Sequence, residues 1–408
     1  MRDLSAHAAL VSLLYAVLLF SGTSAQNSTT SGGSTEGWSA VHLIDDAIIP
    51  QPSSRSADRV FALPGQPKRG IVVQYAGYVT VSAAAGRAFF YYFSEGPISI
   101  NQSLFIWFNG GPGCSSFGNG AMLEHGPFSV GLDGMSLQPN KFSWSKVASV
   151  LYVDSPVGAG FSYSNSSSDY ETYSDELTAI DNYKFLLNWL ERFPEYKTRD
   201  VYLAGEGYAG HYVLQLAQMI LAHNAAGKYT NITLKGLALG NAILDEEALN
   251  RGVDHYLASH GYISYRSYQA CYSNGSSSDC SLLAQAKDKT LRSIYPYDIT
   301  AHVCKVTSIP IDLSQSANGL YECDVQRLVS YLNLPDVKAA LHVNSAVSSK
   351  AWTKCNENIS KAYQNTSSSM LPALRGVVSA GLQVLLYRRE TITKKNSVQV
   401  FDLCLCCD

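Results

Sequence analysis

The chain has 408 residues, of which 46% are hydrophobic and 15% are charged, and its formal net charge is -3. A chain of this length and composition can bury a large core in one or two domains. Its slightly acidic charge offers no basic surface, so we expect neither nucleic acid nor a membrane as a partner. The sequence lacks paired Cys-x-x-Cys motifs and histidine-rich spacing, so we predict no metal site and no cofactor.

The first 25 residues have the features of a secretory signal peptide. Arg2 supplies a positive charge, residues 8–20 are apolar, and Thr23-Ser24-Ala25 is a small-residue cleavage site. The apolar run is too short for a comfortable membrane span. Residues 26–50 begin with many serines, threonines and glycines, and we interpret them as a flexible lead. The protein is therefore expected to be secreted or delivered to a vacuole.

Sequons and cysteines agree with passage through an oxidising compartment, where disulfides can form. There are nine cysteines, and four of them cluster at Cys271, Cys280, Cys304 and Cys323. The Asn-x-Ser/Thr sequons, each a candidate glycosylation site, are Asn27, Asn101, Asn165, Asn231, Asn274, Asn358 and Asn365.

The first predicted strands lead into a glycine-rich loop. Residues 71–81 and 88–93 are β-rich and aromatic, and they predict an antiparallel pair at a sheet edge. Residues 103–108 predict a compact apolar strand that runs into residues 109–116, here named the signature loop. Its three glycines and proline cannot extend a strand or a helix. Glycines there let backbone N–H groups face a ligand at close range.

Farther along the chain, strands alternate with helices. Buried strands are predicted at residues 147–153 and 234–239, with a return to the sheet at residues 382–387. Residues 174–192 have helical spacing of apolar residues, and two acidic residues suit the first turn after Ser174. This alternation predicts the α/β class, with a doubly wound, mostly parallel sheet.

Residues 245–350 interrupt that alternation. They contain the four clustered cysteines, mixed helical stretches and few clear strands. We interpret them as a helical, disulfide-containing insertion above the carboxyl edge of the sheet, where such folds bind ligands.

Residues 201–216 have the layout of a nucleophile elbow, in which a strand turns sharply into a helix and presents a serine within Gly-x-Ser-x-Gly. Here the turn reads Gly205, Glu206, Gly207, Tyr208, Ala209. The flanking small residues are present, but Gly207 has no oxygen to attack a carbonyl. In α/β-hydrolases the amide after the nucleophile, here that of Tyr208, forms an oxyanion hole with an amide from an upstream glycine-rich loop.

Several motifs together resemble the serine carboxypeptidases. Residues 107–116, 123–128, 140–144, 154–163 and 205–210 match family patterns, within a resemblance that runs from about residue 59 to residue 387. Residues 62–65 and 75–78 suggest a fungal secreted or vacuolar branch. The resemblance implies an α/β-hydrolase fold with a Ser-Asp-His triad. It also implies release of C-terminal amino acids from peptides, usually at acidic pH, so peptide or protein C-termini are the expected partners.

The resemblance also implies roles by position. The amides of Gly111 and Tyr208 would form the oxyanion hole, and Asn109, Gly110 and Glu206 would hold the terminal carboxylate of the substrate. Glu206 can do so only as a protonated acid, because two adjacent carboxylates cannot both ionise at low cost.

Cysteine pairing is implied in part. By the same resemblance, Cys114 would pair with Cys355. The four insertion cysteines allow three pairings, among which we favour Cys271–Cys280 and Cys304–Cys323.

The chain departs from the family at every triad position. Position 207 is glycine, and the aspartate and histidine expected after residues 382–387 do not follow in their family pattern; the last histidine is His342. We therefore interpret residues 51–387 as the domain and residues 388–408 as an aberrant, truncated tail. The tail is expected to leave a sheet edge bare, although residues 398–405 could supply a substitute strand.

These departures predict a carboxypeptidase relative that is inactive in this chain. One alternative is a pseudoenzyme that still binds peptide C-termini. Another is an acyltransferase relative on the same fold, which would also need the triad. A different α/β-hydrolase such as a lipase is disfavoured by the signature loop.

Overall fold

Eleven strands form within the residues that the computed structural model describes, which are 44–68, 72–97, 103–274, 277–294, 299, 322–365, 367–389 and 398–401. The strands are β1 (Arg59–Val60), β2 (Val73–Ser82), β3 (Arg87–Glu95), β4 (Leu104–Asn109), β5 (Phe128–Val130), β6 (Leu137–Pro139), β7 (Ser149–Val153), β8 (Val201–Glu206), β9 (Leu234–Gly240), β10 (Gln383–Arg389) and β11 (Val398–Phe401). The expected signal peptide, Asn27, Asn101 and Cys304 lie outside the described residues.

Nine strands form one mixed sheet in the order β1-β2-β3-β7-β4-β8-β9-β10-β11. Strands β7, β4, β8, β9 and β10 are parallel to one another, while β1, β2 and β3 form an antiparallel edge. β5 and β6 form a separate hairpin. The predicted α/β-hydrolase fold, with its mostly parallel sheet, is confirmed.

The central strands are buried on both faces, which explains their continuous apolar sequences. In β4 the alternation of side chains assigns Leu104, Ile106 and Phe108 to one hydrophobic cluster. Phe105 and Trp107 belong to the cluster on the opposite face. Each cluster is completed by helices or loops, so the sheet is covered on both sides.

The helices are α1 (Asp175–Arg192), α2 (Ala209–Ala226), α3 (Glu246–Ser259), α4 (Tyr265–Asn274), α5 (Ser277–Leu291), α6 (Glu322–Leu332), α7 (Pro335–Ala340), α8 (Ser345–Ser348), α9 (Glu357–Ala362) and α10 (Leu371–Ser379), with a π-helix at Phe117–Glu124. The hydroxyl oxygen of Ser174 accepts a hydrogen bond from the amide of Leu177 at 3.3 Å, so α1 begins at the predicted cap. No helix among the described residues is long and apolar enough to cross a membrane.

The region predicted as an insertion divides into two parts. Helices α3 to α5 surround a small core of their own, which includes Leu257, Ile263 and Leu283. In contrast, Leu328 of α6 and Val337 of α7 pack into one of the two main clusters. The second part of residues 245–350 therefore belongs to the main body of the domain.

Two of the expected disulfides are present. Cys114 is bonded to Cys355 across a sequence separation of 241, which fastens the signature loop to the segment that follows α8. Cys271 is bonded to Cys280 within the α4–α5 pair. The proposed partner of Cys323, Cys304, is not among the described residues, so that pairing stays a prediction.

The tail corrects one expectation. The edge of β10 is not bare, because Val398–Phe401 forms β11 and pairs with it in antiparallel register, with Leu386 opposite Phe401. The sequence Val-Gln-Val-Phe is rich in residues that favour strands, which accounts for the substitute strand.

Four sequon asparagines, Asn165, Asn231, Asn358 and Asn365, are exposed in the described structure, as glycan attachment requires. Glycosylation, and the secretory or vacuolar destination with it, stays a prediction.

Candidate functional site

The elbow is present where β8 turns into α2. Gly207 lies between them in the left-handed region, with a φ of 64°. Its amide donates to the carbonyl of Gly240 at 3.1 Å. Its carbonyl accepts from the amides of Gly210 at 3.1 Å and Ile243 at 2.9 Å. The backbone of the turn is therefore held on both sides without a serine at its centre.

The space above Gly207 is open. A Cβ atom at this position would meet no heavy atom within 4 Å beyond the glycine and its chain neighbours. At Gly205, by contrast, a Cβ would lie 2.9 Å from the Cβ of Ala209. Gly205 is thus required by packing, whereas Gly207 occupies a position with room for a side chain.

Placing a side chain at Gly207 should cost stability even though there is room for it. An L-residue at a φ of 64° is disfavoured, so Gly207→Ser should lower the free energy of unfolding by roughly 1–2 kcal/mol. Gly207→Ala is the matched control and should lose about as much, because the cost comes from the Cβ. Urea denaturation of the three proteins measures this, and a serine variant more stable than the wild type would contradict it.

The signature loop packs directly against the start of α2. A Cβ at Gly110 would lie 2.3 Å from the amide nitrogen of Tyr208, so only glycine fits there. The amide of Gly110 donates to the carbonyl of Glu206 at 3.0 Å and is therefore already used within the protein. The structure thus gives Gly110 a packing role, where the resemblance implied a direct contact with the substrate carboxylate.

The two amides expected to form the oxyanion hole remain available. Among the described residues, neither Gly111 nor Tyr208 donates its amide to an acceptor. Gly111 has a φ of 118°, which a residue with a side chain rarely adopts. Since the loop touches the elbow at Gly110, both donors lie at the junction of the loop and the turn.

Asn109, at the end of β4, connects two carboxyl groups. Its Oδ1 accepts from Nε1 of Trp107 at 2.6 Å and from the amide of Gly120 at 3.1 Å, which fixes the orientation of its amide group. Its Nδ2 donates to Oε2 of Glu206 at 3.1 Å and lies 3.4 Å from Oε1 of Glu124. The predicted residues Asn109 and Glu206 are therefore brought together, with Glu124 as a third member.

Glu124 is the site residue that the sequence argument missed. Burial, followed by the charge of Glu206 and a hydrogen bond to it, raises the pKa of Glu124 well above its ordinary value. The structure thus points to Glu124 as the carboxyl that holds a proton beside Glu206. Residues 123–128 were already part of the resemblance, but only as a motif, and no role followed for the carboxyl.

No described histidine reaches the nucleophile position, since nothing lies within 4 Å of a Cβ at Gly207. His211 is fully buried below the elbow, with its Nδ1 3.5 Å from Oδ2 of Asp175. His125 stacks on Trp144, and burial lowers its pKa to about 3. The Nδ1 of His342 lies 3.0 Å from the carbonyl oxygen of Ala76, at the antiparallel edge.

The described residues also contain no group of three or more histidine, cysteine, aspartate or glutamate side chains arranged to hold a metal ion. The described residues at the site provide amide donors and a carboxyl, that of Glu124, whose pKa is raised well above its ordinary value. Such a set can bind an anion or a carbonyl oxygen, but it does not supply a nucleophile.

Comparison with known proteins gives consistent matches. Residues 64–391 match the family model described as serine carboxypeptidase. Serine carboxypeptidase-like 28 of Arabidopsis thaliana is 41% identical over 344 residues, which cover 82% of this chain and 74% of that protein. Serine carboxypeptidase 24 of Arabidopsis thaliana is 38% identical over 375 residues, which cover 86% of this chain and 80% of that protein.

Among solved structures, the prohormone-processing carboxypeptidase Kex1(Δ)p of Saccharomyces cerevisiae superposes with a TM-score of 0.66 and 25% identity, covering 82% of this chain and 78% of that one. The curated relatives named above are plant proteins and are more similar in sequence than the yeast enzyme, so they give no support to the expected fungal branch. On the extent of the family match and the identity to these relatives, the chain belongs to the serine carboxypeptidase family.

Proposed function

We propose that this chain binds the free C-termini of peptides and does not hydrolyse them. The observation that carries the proposal is the open position at Gly207, next to a carboxylate-recognition cluster of Asn109, Glu124 and Glu206. The elbow, the loop and the cluster contact one another, while position 207 carries no atom that could attack a peptide bond.

Binding is supported by donors that suit a carboxylate. The Nδ2 of Asn109 donates to Glu206 and Glu124 and orients their carboxyl groups, and the proton that Glu124 holds provides a donor for a ligand carboxylate. Hydrogen bonds to a charged group are stronger than neutral ones, so a free carboxylate gains more from this cluster than an amide does.

Absence of hydrolysis follows from the missing nucleophile. In a serine protease, loss of the nucleophile or of its base lowers turnover about 10⁶-fold, and the losses are not additive. What remains, from positioning and the oxyanion hole, is worth roughly 10³ to 10⁴ over water. An acyltransferase relative would need the same hydroxyl, so Gly207 disfavours that alternative as well.

Calorimetric titration at pH 5 tests recognition of the carboxylate. A peptide with a free C-terminus should bind at least about tenfold more tightly than the same peptide with a C-terminal amide, because the amide forms no charge-assisted hydrogen bonds with the cluster. The peptide amide is itself the matched control, since every other contact is the same. Equal affinities for the two ligands would contradict the proposal.

A further inference from the structure

Tyr208 presents its backbone and its side chain to different parts of the molecule. Its amide has no acceptor among the described residues. Its side chain is only 7% exposed and points into the core, where the ring stacks on His211 with a centroid distance of 4.4 Å. The hydroxyl donates to Oδ1 of Asp175 at 3.0 Å. Tyr208 therefore connects the ligand-facing side of the elbow to the buried carboxylate of Asp175.

Asp175 gathers groups from several segments. It is the first residue of α1 and is fully buried. Its Oδ1 also accepts from the hydroxyl of Tyr363 at 3.1 Å, and its Oδ2 lies 3.5 Å from Nδ1 of His211. A buried carboxylate is costly unless donors surround it, and the N-terminus of a helix favours its charge. The position of Asp175 is thus fixed by α1, by the elbow helix and by the segment after α9.

The Tyr208 hydroxyl stays a donor over the working pH range. Burial, and then the neighbouring charge of Asp175, raise the pKa of Tyr208 far above its ordinary value. The link between Asp175 and the elbow is therefore an O–H donor on a carboxylate, which is stronger than a neutral hydrogen bond.

We propose that Asp175 is a positioning residue that aims the Tyr208 amide at a bound anion. Tyr208 is held at its hydroxyl by Asp175, and its amide nitrogen lies against Gly110, where even a Cβ would come within 2.3 Å. Because the Tyr208 hydroxyl is fixed, the backbone of Tyr208 has less freedom to rotate. Any movement of that backbone would press on Gly110 of the signature loop, which packs tightly against it. This inference rests on the proposed function, since it concerns a ligand at the same site.

Two hydroxyl deletions separate positioning from general stabilisation. Tyr208→Phe removes the hydroxyl attached to the elbow, and Tyr363→Phe removes the other tyrosine hydroxyl from the same carboxylate oxygen. The probes are a peptide with a free C-terminus and its phosphonate analogue, which places a tetrahedral anion at the junction of loop and elbow.

The expected result is a split between the probes. Tyr208→Phe should weaken phosphonate binding about fivefold, the value of one hydrogen bond, and change peptide binding less than about twofold. Tyr363→Phe should change the affinity for either probe less than about twofold, although both variants should melt at a similarly reduced temperature. If Tyr208→Phe does not fold, Asp175→Asn replaces it, with the same split expected.

Several outcomes would overturn the inference. Equal losses for both probes in Tyr208→Phe would show a structural role alone, and an unchanged phosphonate affinity would show no role for the hydroxyl. If Tyr363→Phe lowered the affinity for the phosphonate as much as Tyr208→Phe does, the effect would not be specific to the hydroxyl attached to the elbow. If the wild-type chain binds neither probe, the proposed function fails together with the inference. If the wild type binds both probes but the variants show no split, the proposed function stands and only the role of Asp175 is wrong.

Discussion

Gly207→Ser alone should give no measurable release of C-terminal amino acids. The new hydroxyl would project into open space, and no histidine among the described residues lies within 4 Å of its Cβ. A serine without a general base remains a weak nucleophile at its ordinary pKa. Because loss of the base costs about as much as loss of the serine, turnover should stay on the order of 10⁶-fold below that of an intact triad.

The measurement is amino-acid release from an N-blocked dipeptide at pH 5, with the wild type and Gly207→Ala as matched controls. All three should give the same background. Release by the serine variant alone would mean that a base reaches residue 207 in solution, and the interpretation of this centre as one without a base would then be wrong.

Affinity for a free C-terminus should fall steeply as the pH rises. Burial and Glu206 raise the pKa of Glu124, so Glu124 should hold a proton in acid and donate it to the ligand carboxylate. Above the pKa of Glu124 the proton is lost, and the negative charge of the Glu124 carboxylate then repels the ligand carboxylate. Affinity should then drop by about tenfold per pH unit, or on the order of a hundredfold over two units.

Glu124→Gln tests this pH dependence. Glutamine resembles the protonated acid in shape and keeps a donor, so the variant should bind at pH 5 much as the wild type does and lose most of its pH dependence. The peptide amide, titrated in parallel, should show little pH dependence in either protein. Wild-type affinity for the free acid that stays constant or rises with pH would contradict the assignment.

The proton on Glu124 also couples this site to folding. The pKa of Glu124 is higher in the folded protein than in the unfolded chain, so the folded state binds more protons between the two values. Stability from this source is present below the unfolded pKa and is lost as the pH rises through the folded pKa. We therefore expect the contribution of Glu124 to stability to be larger at acidic pH than at neutral pH, which urea denaturation at several pH values would measure.

The elbow and the mostly parallel sheet could be predicted because the turn and the strands depend on local sequence. Glycines around residue 207 and apolar runs such as residues 103–108 specify a turn and a buried strand without knowledge of distant contacts. The doubly wound sheet then follows from the alternation of strands and helices.

The supporting side chains could not be predicted, because they come from distant parts of the chain. Glu124 reaches Asn109 through a π-helix, and a 15-residue separation does not reveal which residues will share a face. Asp175 meets Tyr208 and Tyr363 across separations of 33 and 188 residues. Such meetings are set by the packing of helices on the sheet, which no local pattern specifies.

The most direct test is to incubate the purified chain at pH 5 with a saturating peptide, to measure binding by calorimetry, and to weigh the recovered peptide by mass spectrometry. The peptide should bind through its free C-terminus and be recovered at its full mass after many dissociation times. Recovery of a peptide shortened by its last residue, in proportion to the enzyme added, would contradict it.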